Sequence, residues 1–312
     1  MSDRPLSGDG TAGPLAPATE LFTDHRELLF RLVYNILGSV ADTEDVLQET
    51  WLSWTARGAG RDLAGIAAPR AYLVRIAVNH ALSRRAAISR RQETYIGPWL
   101  PEPLVAAPDG DGDPALRAES VSLAMLVVLE TLTPLERAVF VLHEVFGYPH
   151  PEIAEILGRS PAAVRQLAHR AREHVHARRP RYRAHPRVRR EATERFVRAA
   201  VGGDIAALLE ILAPDVTVWT DGGGRTEASG RHPVHGRDKA ARLIAGYARR
   251  SAPLRLDLAF RQVNGDPAAV LFRGAEPYAV LVTDLTAEGD RVAAVYVVTN
   301  PEKLTGVRRA ER

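Results

Sequence analysis

Between Pro149 and Val175 two apolar patterns meet at a three-residue break, and this junction limits the possible folds more than any other segment. Ile153, Ala154 and Leu157 share one face of a short helix. Gly158-Arg159-Ser160 then supplies a tight turn, with glycine where positive φ is needed and serine placed to cap the helix that Pro161 opens. Val164, Leu167, Ala168 and Ala171 form the buried stripe of that second helix, and small Ala154 lets the two helices approach. The pattern predicts a helix-turn-helix; the plainer alternative is a helical hairpin with a solvated basic face. The second helix turns Ala163, Arg165, Gln166, His169 and Arg170 outward. Arginine can grip the O6 and N7 of guanine, and glutamine can pair with adenine. Ser160 at the helix start, Arg172, and Arg178, Arg179 and Arg181 beyond it suit phosphates, which give salt-dependent affinity without sequence information.

Charge is separated along the chain although the net value is only +3. Residues 1–50 hold nine acids and three arginines. Residues 70–91 hold six arginines and no acid, and residues 159–190 hold eleven arginines and one glutamate. Such blocks imply surfaces facing different partners, the basic ones a polyanion and the acidic one a basic protein. There is no cysteine, which excludes a disulfide framework, a thiolate metal site and a cysteine nucleophile. The first ten residues lack the basic-then-apolar order of a signal peptide, and the apolar run near Val121–Leu129 is too short to span a bilayer. The expected location is the cytoplasm, without membrane contact.

Residues 1–17, rich in Gly, Pro and polar residues, read as a tail. Residues 18–91 read as helical. Leu28, Leu29, Leu32, Val33, Ile36 and Leu37 recur at helical spacing until Gly38; Asp42 is placed to cap the next helix; Pro69 precedes a helix over 71–87 carrying Tyr72, Leu73, Ile76 and Ala77 on one stripe. Residues 92–113 hold four prolines and three glycines, yet also Tyr95, Ile96, Trp99, Leu100 and Leu104, so this linker is expected to pack on something. Helices return over 114–180. Asp113 precedes Pro114, and Thr133-Pro134-Leu135-Glu136 is a capping box. After a basic linker at 181–189, residues 190–312 change texture. Helices at 191–201, 204–212 and 237–250 accompany strands at 216–220, 254–263, 268–272, 278–285 and 292–299, which argues for a separate α+β domain with an antiparallel meander.

The segment ADTEDVLQETWLSW places Asp45, Gln48, Glu49 and Leu52 on one helical face. PRAYLVRIAVNHALSRR interleaves basic, aromatic and amide groups in the manner suited to single-stranded or distorted DNA. These two segments, and LTPLERAVFVLHEVFGYPHPEIAEILGRSPAAVRQLAHRARE after them, resemble the extracytoplasmic-function sigma factors of bacterial RNA polymerase. The resemblance implies a polymerase-clamp helix, a −10 helix pair and a −35-reading domain, with core RNA polymerase (β′ clamp helices and β flap) and promoter DNA as partners. It implies that Asp45, Gln48, Glu49 and Leu52 meet the clamp and that Asn79 captures a flipped base, whose extrusion costs a few kcal/mol. Arg70, Arg75, His80, Arg84 and Arg85, with Arg90 and Arg91, would hold DNA nearby.

The linker motif TYIGPWLPEPL resembles a subgroup, the sigma-J type, that carries a C-terminal SnoaL-like extension. Two motifs of that subgroup stand here as Asp221-Gly222-Gly223-Gly224-Arg225 and Asn300-Pro301-Glu302-Lys303-Leu304. The implied whole is multidomain: two all-α sigma domains, then an α+β SnoaL/NTF2-like cone-shaped half-barrel that modulates the sigma part. The glycine loop either forms an adaptable turn or approaches another domain closely, leaving Asp221 and Arg225 as charged contacts. A cone has a pocket, so an unidentified small ligand is a candidate partner. Asp221, His232, His235, Tyr247 and Asp284, with Trp219 as a wall, are the polar groups from which an enzyme would be built. His232 and His235 lack a third metal ligand at credible spacing, and no cofactor is implied. Two other classes remain open: a one-component regulator with a ligand pocket, and a SnoaL-type enzyme with a DNA-binding appendage.

Overall fold

The computed structural model describes residues 16–58, 66–106, 121–177, 185–225 and 230–309. Of the tail expected over residues 1–17, residues 1–15 lie outside them and Ala16 and Pro17 instead open the first helix; the Asp113–Pro114 cap and the phosphate-contact candidates Arg178, Arg179 and Arg181 also lie outside them.

Three helices form the first unit: α1 (Ala16–Leu37), α2 (Val40–Gly58) and α3 (Pro69–Glu93). Leu29, Leu32, Val33, Ile36 and Leu37 of α1 are fully buried, and Gly38 ends the helix at φ +72 with its N–H on Tyr34 O, 2.7 Å away. Asp42, expected as the cap of α2, instead sits one turn inside it. Ser39 Oγ accepts from Asp42 N at 3.3 Å, while Glu102 Oε2, from the linker, accepts from Val40 N at 2.7 Å. Asp42 is thereby free to pair with Arg84 and Arg91 of α3. The expected helix over 71–87, likened to a pair, is one continuous helix running to Glu93, because nothing in Leu82–Gln92 breaks it.

The second unit runs α4 (Leu123–Leu129), α5 (Pro134–Phe140), a π-helical turn (Val141–Val145), α6 (His150–Leu157) and α7 (Pro161–His176). Thr133 and Glu136 form the reciprocal capping box at α5. Gly158 closes α6 at φ +61, Ser160 Oγ caps α7 by accepting from Ala163 N at 3.2 Å, and Val164, Ala168, Ala171 and Val175 are buried. This is the helix-turn-helix that the sequence predicts.

The third unit holds α8 (Pro186–Gly202), α9 (Ile205–Ile211), β1 (Leu212–Asp221), β2 (Val234–His235), α10 (Arg237–Ser251), β3 (Asp257–Val263), β4 (Asp266–Arg273), β5 (Glu276–Leu285) and β6 (Val292–Val298). Strand order is β2-β1-β6-β5-β4-β3. β3 to β6 form the antiparallel meander, whereas β1 lies parallel to β6. Register shifts in β1, β4 and β5 mark bulges that bend the sheet. Helices α8, α9 and α10 cover one face through Phe196, Leu208 and Ile244. The other face buries Val270, Phe272, Val280 and Val298 against Leu100 of the linker, Leu123 and Ala124 of α4, and Leu304 and Val307 of the chain's end.

The first two units share one apolar core, and a buried ion triad sits at their junction. Arg137 of α5 is fully buried; it donates to Glu130 Oε1 at 2.6 Å and to Asn35 O of α1 at 3.0 Å. Arg85 of α3 donates to Glu130 Oε2 at 2.5 Å. Burial works against the Glu130 carboxylate, but Arg137 and Arg85 outweigh it and hold its pKa down to about 2. A carboxyl depressed in the folded state contributes stability fully above its usual value of 4.5, and this is lost as pH falls toward 2. Glu130→Gln should therefore be less stable than the native chain at neutral pH, and the gap should narrow from about pH 4.5 downward. Urea unfolding of both proteins across that range measures it; a constant gap would contradict the triad.

Candidate functional site

The linker is the strand around which all three units close. Tyr34 OH of α1 donates to Glu102 O at 2.6 Å and receives Asn264 Nδ2 of the β3–β4 turn at 2.9 Å. Glu102 N donates to Gly38 O at 2.8 Å. Asn264 N and Leu104 O, and Leu104 N and Asn264 Oδ1, pair at 2.9 and 3.1 Å. Val105 bridges Val263, which extends the sheet edge by a short stretch of linker.

At the centre stands Asp221, fully buried at the end of β1. Its Oδ2 accepts from Leu100 N at 2.8 Å and from Lys303 Nζ at 2.7 Å, and its Oδ1 accepts from Tyr95 OH. Lys303 Nζ also donates to Leu100 O at 2.5 Å and lies 3.5 Å from the ring centre of Trp99. Burial lowers the Lys303 pKa, and Asp221 opposes that fall. Burial, reinforced by Asp221, raises Tyr95 far above the usual phenol range. Asn300 donates Nδ2 to Tyr95 Oη at 2.8 Å and caps the final turn through Glu302 N at 3.1 Å. Pro301 opens that turn, and Leu304 is buried behind it.

The glycines answer a steric demand. Gly223 has φ +60, and a Cβ there would stand 2.7 Å from Asn300 Nδ2; one on Gly224, at φ +71, would stand 3.0 Å from Ile96. Buried Gly222 precedes them. The close approach therefore involves the linker and the Asn300 segment. Arg225, expected to reach another unit, pairs instead with Glu302 of its own at 2.7 Å, both exposed.

The polar groups considered for a catalytic pocket do not converge. Asp221 and Trp219 face the linker side of the sheet, where Trp219 stacks on Tyr296. His232 and His235 are exposed, His235 beside Thr217 Oγ1 at 3.0 Å. Tyr247 packs under Arg250, and Asp284 accepts from Leu285 N. Among the described residues no group of three His, Cys, Asp or Glu could hold a metal.

On α2, Gln48, Glu49 and Leu52 are exposed, and Asp45 is exposed but paired with Arg84. On α3, Arg70, Arg75 and Asn79 are exposed, and His80 is half-buried between Glu49 at 3.3 Å and Ser53 Oγ at 3.2 Å. Arg85, expected to hold DNA, is instead committed to Glu130 at 3% exposure and is not available to DNA in this arrangement. On α7, Ser160, Arg165, Gln166 and His169 are exposed, with His169 3.7 Å from Glu173. Arg170 meets Glu136 at 3.1 Å, and Arg172 meets Glu144 at 3.6 Å. Sequence reasoning missed the roles of Tyr34, Glu102, Glu130 and Asn264: Glu102 lies inside the quoted linker motif and Asn264 in a turn, but nothing local names the distant partners they hold.

Three family models match in this order: Sigma-70 region 2 over residues 21–91, Sigma-70 region 4 over 122–175, and a SnoaL-like domain over 193–277. The chain is 36% identical over 297 residues to the ECF RNA polymerase sigma factor SigJ of Mycobacterium tuberculosis, covering 92% of this chain and 93% of that one. The chain belongs to the ECF RNA polymerase sigma factors. A second relative within the ECF sigma factors, the probable sigma factor SigI of M. tuberculosis, is 31% identical over 94% of this chain and 96% of its own length. The crystal structure of M. tuberculosis SigJ matches with a TM-score of 0.72 at 35% identity, covering 92% of this chain and 98% of that one. The SnoaL-like extension of this sigma factor is thus its third unit, and the Asp221–Lys303 pair fastens it to the linker.

Removing one member of a buried ion pair strands the other, at about 3–5 kcal/mol. Lys303→Met and Asp221→Leu should each lose stability on that scale, and the double variant should lose clearly less than their sum. Urea midpoints followed by tryptophan fluorescence measure the cycle; strict additivity would contradict the pairing.

Proposed function

We propose that this sigma factor docks core RNA polymerase through Asp45, Gln48, Glu49 and Leu52, opens −10 DNA with α3 and reads the −35 element with α7. Polymerase performs the chemistry in the cytoplasm; the chain supplies binding and placement. The functional division follows: residues 18–91 for polymerase and −10 DNA, 114–180 for the −35 element, 190–312 for control. Asp45, Gln48, Glu49 and Leu52 form an exposed acidic face with an apolar end at Leu52, suited to a basic helical partner. Asn79 stands exposed between Arg75 and His80, where a side-chain amide can pair with the edge of an unstacked base.

The arrangement described is the closed form of this machine. The observation that carries this is Arg85, a promoter-side arginine buried against Glu130 of the helix-turn-helix unit. A protein reading two separated DNA elements with α3 and α7 has to part them, and parting them breaks the triad. A partner shifts such an equilibrium only by binding the open form better. The polymerase face and the promoter supply that difference, while the Asp221–Lys303 pair, the SnoaL-like domain and the linker oppose it.

Run-off transcription with purified core polymerase, using the fragment upstream of the chain's own gene and other genomic fragments, tests the reading; no defined start site, with or without residues 190–312, would sink it. Asp45→Arg should abolish co-elution with core polymerase without altering folding. Asn79→Ala should lower permanganate reactivity of −10 thymines more than it lowers binding to a duplex −35 site; equal losses would remove Asn79 from promoter opening.

A further inference from the structure

The two chain segments that tether the helix-turn-helix unit meet at one cleft. The incoming linker reaches Ala106, whose N–H donates to Gln262 O of β3 at 2.9 Å. The outgoing tether re-enters at His185, and Pro186 opens α8. Ala106 and Pro186 both line a cleft of about 770 Å³ between α8 and the β3–β4 hairpin. Small-molecule sites are typically about 300–1,000 Å³.

The lining is one-sided in charge. Arg187, Arg190 and Arg261 line it; Arg187 also reaches Glu191 at 3.5 Å in an exposed pair that an anion can displace, and the cleft's single acid, Glu194, is taken by Arg198 at 3.1 Å. Arg261 donates once, to Phe260 O at 3.2 Å, and its Nε is buried without a hydrogen-bond partner. Arg189 already pairs with Asp266. The first turn of α8 has no acid and carries arginines where the helix dipole repels cations. Departures of this kind from local rules are expected at functional or strained sites. Beside these cations Phe260 is 38% exposed, an aromatic surface left open among the described residues.

We propose that this cleft binds a small amphipathic organic anion, its charged head held by Arg187, Arg190 and Arg261 and its apolar body laid on Phe260, and that occupancy braces both tethers and favours the closed form. The second clause rests on the closed-form reading above; the first does not. A concave, partly apolar cleft suits a compact anion rather than a duplex backbone, which presents no apolar body.

The probe is 1-anilinonaphthalene-8-sulfonate, with uncharged N-phenyl-1-naphthylamine as its counterpart, on the full chain. We expect saturable binding of the sulfonate at one site per chain, weakened at least tenfold in the double variant Arg190→Gln, Arg261→Gln. The uncharged dye should not distinguish the two proteins. Arg190 is exposed and Arg261 half-buried, so an unchanged circular dichroism spectrum and urea midpoint are required of the double variant. Absence of saturable binding, or equal affinity in both proteins, overturns the site. Displacement of the dye by a short DNA duplex that itself binds the double variant more weakly assigns the cleft to DNA and overturns it too. For coupling, the cysteine-free chain accepts Glu20→Cys and Glu173→Cys for energy transfer between the first two units. Saturating sulfonate should raise several-fold the core polymerase needed to separate the labels. An unchanged titration overturns the bracing while leaving the site; labels that core polymerase never separates count against the closed-form reading instead.

Discussion

A fully buried aspartate held by a nearly buried lysine fixes how the parts of this sigma factor meet. Asp221 accepts from three donors on two segments: the linker's Tyr95 and Leu100, and Lys303 at the chain's end. None of those contacts is local in sequence, so none forms until the SnoaL-like sheet, the linker and the final turn are together. The energetics of buried pairs are asymmetric: an intact pair adds little net stability, while half a pair is expensive. That asymmetry suits a fastener. The linker is seated only with Tyr95 OH and Leu100 N on Asp221 and Leu100 O on Lys303 Nζ, and intermediate positions leave those buried polar groups unmatched around the pair.

Seating the linker has a second consequence. Glu102, carried by the same segment, accepts from Val40 N at the start of α2, and its carbonyl receives Tyr34 OH from α1. The helix bearing the proposed polymerase face is thus capped by a residue whose place depends on the SnoaL-like domain. Burial raises the Glu102 pKa while the α2 N–H groups and Lys303 pull it down. Lys303 thereby acts on both the pair that fastens the extension and the carboxylate that caps the polymerase-side helix, which couples the end of the chain to its beginning.

Much of this was legible from local rules. The capping box at Thr133, the Gly158 turn and the Ser160 cap each follow from chemistry within a few residues. Apolar residues in the proline-rich linker signalled packing, and Leu100 is indeed fully buried. What was illegible is what long-range geometry decides. Asp42 has the composition of a cap, but the helix starts earlier because Glu102, 62 residues away, satisfies its first N–H. Arg85 looks like its neighbour Arg84, and one step around α3 separates a half-exposed side chain from a buried one. The partner that makes burial tolerable, Glu130, ends α4 with no motif of its own.

The same comparison explains how a chain with separated charge blocks folds onto itself. Arg84 pairs with Asp42 and Asp45, Arg85 with Glu130, Arg170 with Glu136, and Arg172 with Glu144. Each proposed DNA contact among these four arginines therefore already holds a carboxylate. With their arginine side partly exposed, the pairs of Arg84, Arg170 and Arg172 are open to exchange for a phosphate, although Asp42 and Glu136 are themselves buried. The buried one does not exchange in place, because a phosphate cannot enter the junction between the two helical units. The exposed arginines can thus meet DNA while the units stay closed, whereas Arg85 changes partner only when they part. A promoter that requires Arg85 would, on this reading, be bound by the open form alone, and the strength of one ion triad would set how much polymerase and DNA must contribute to reach it.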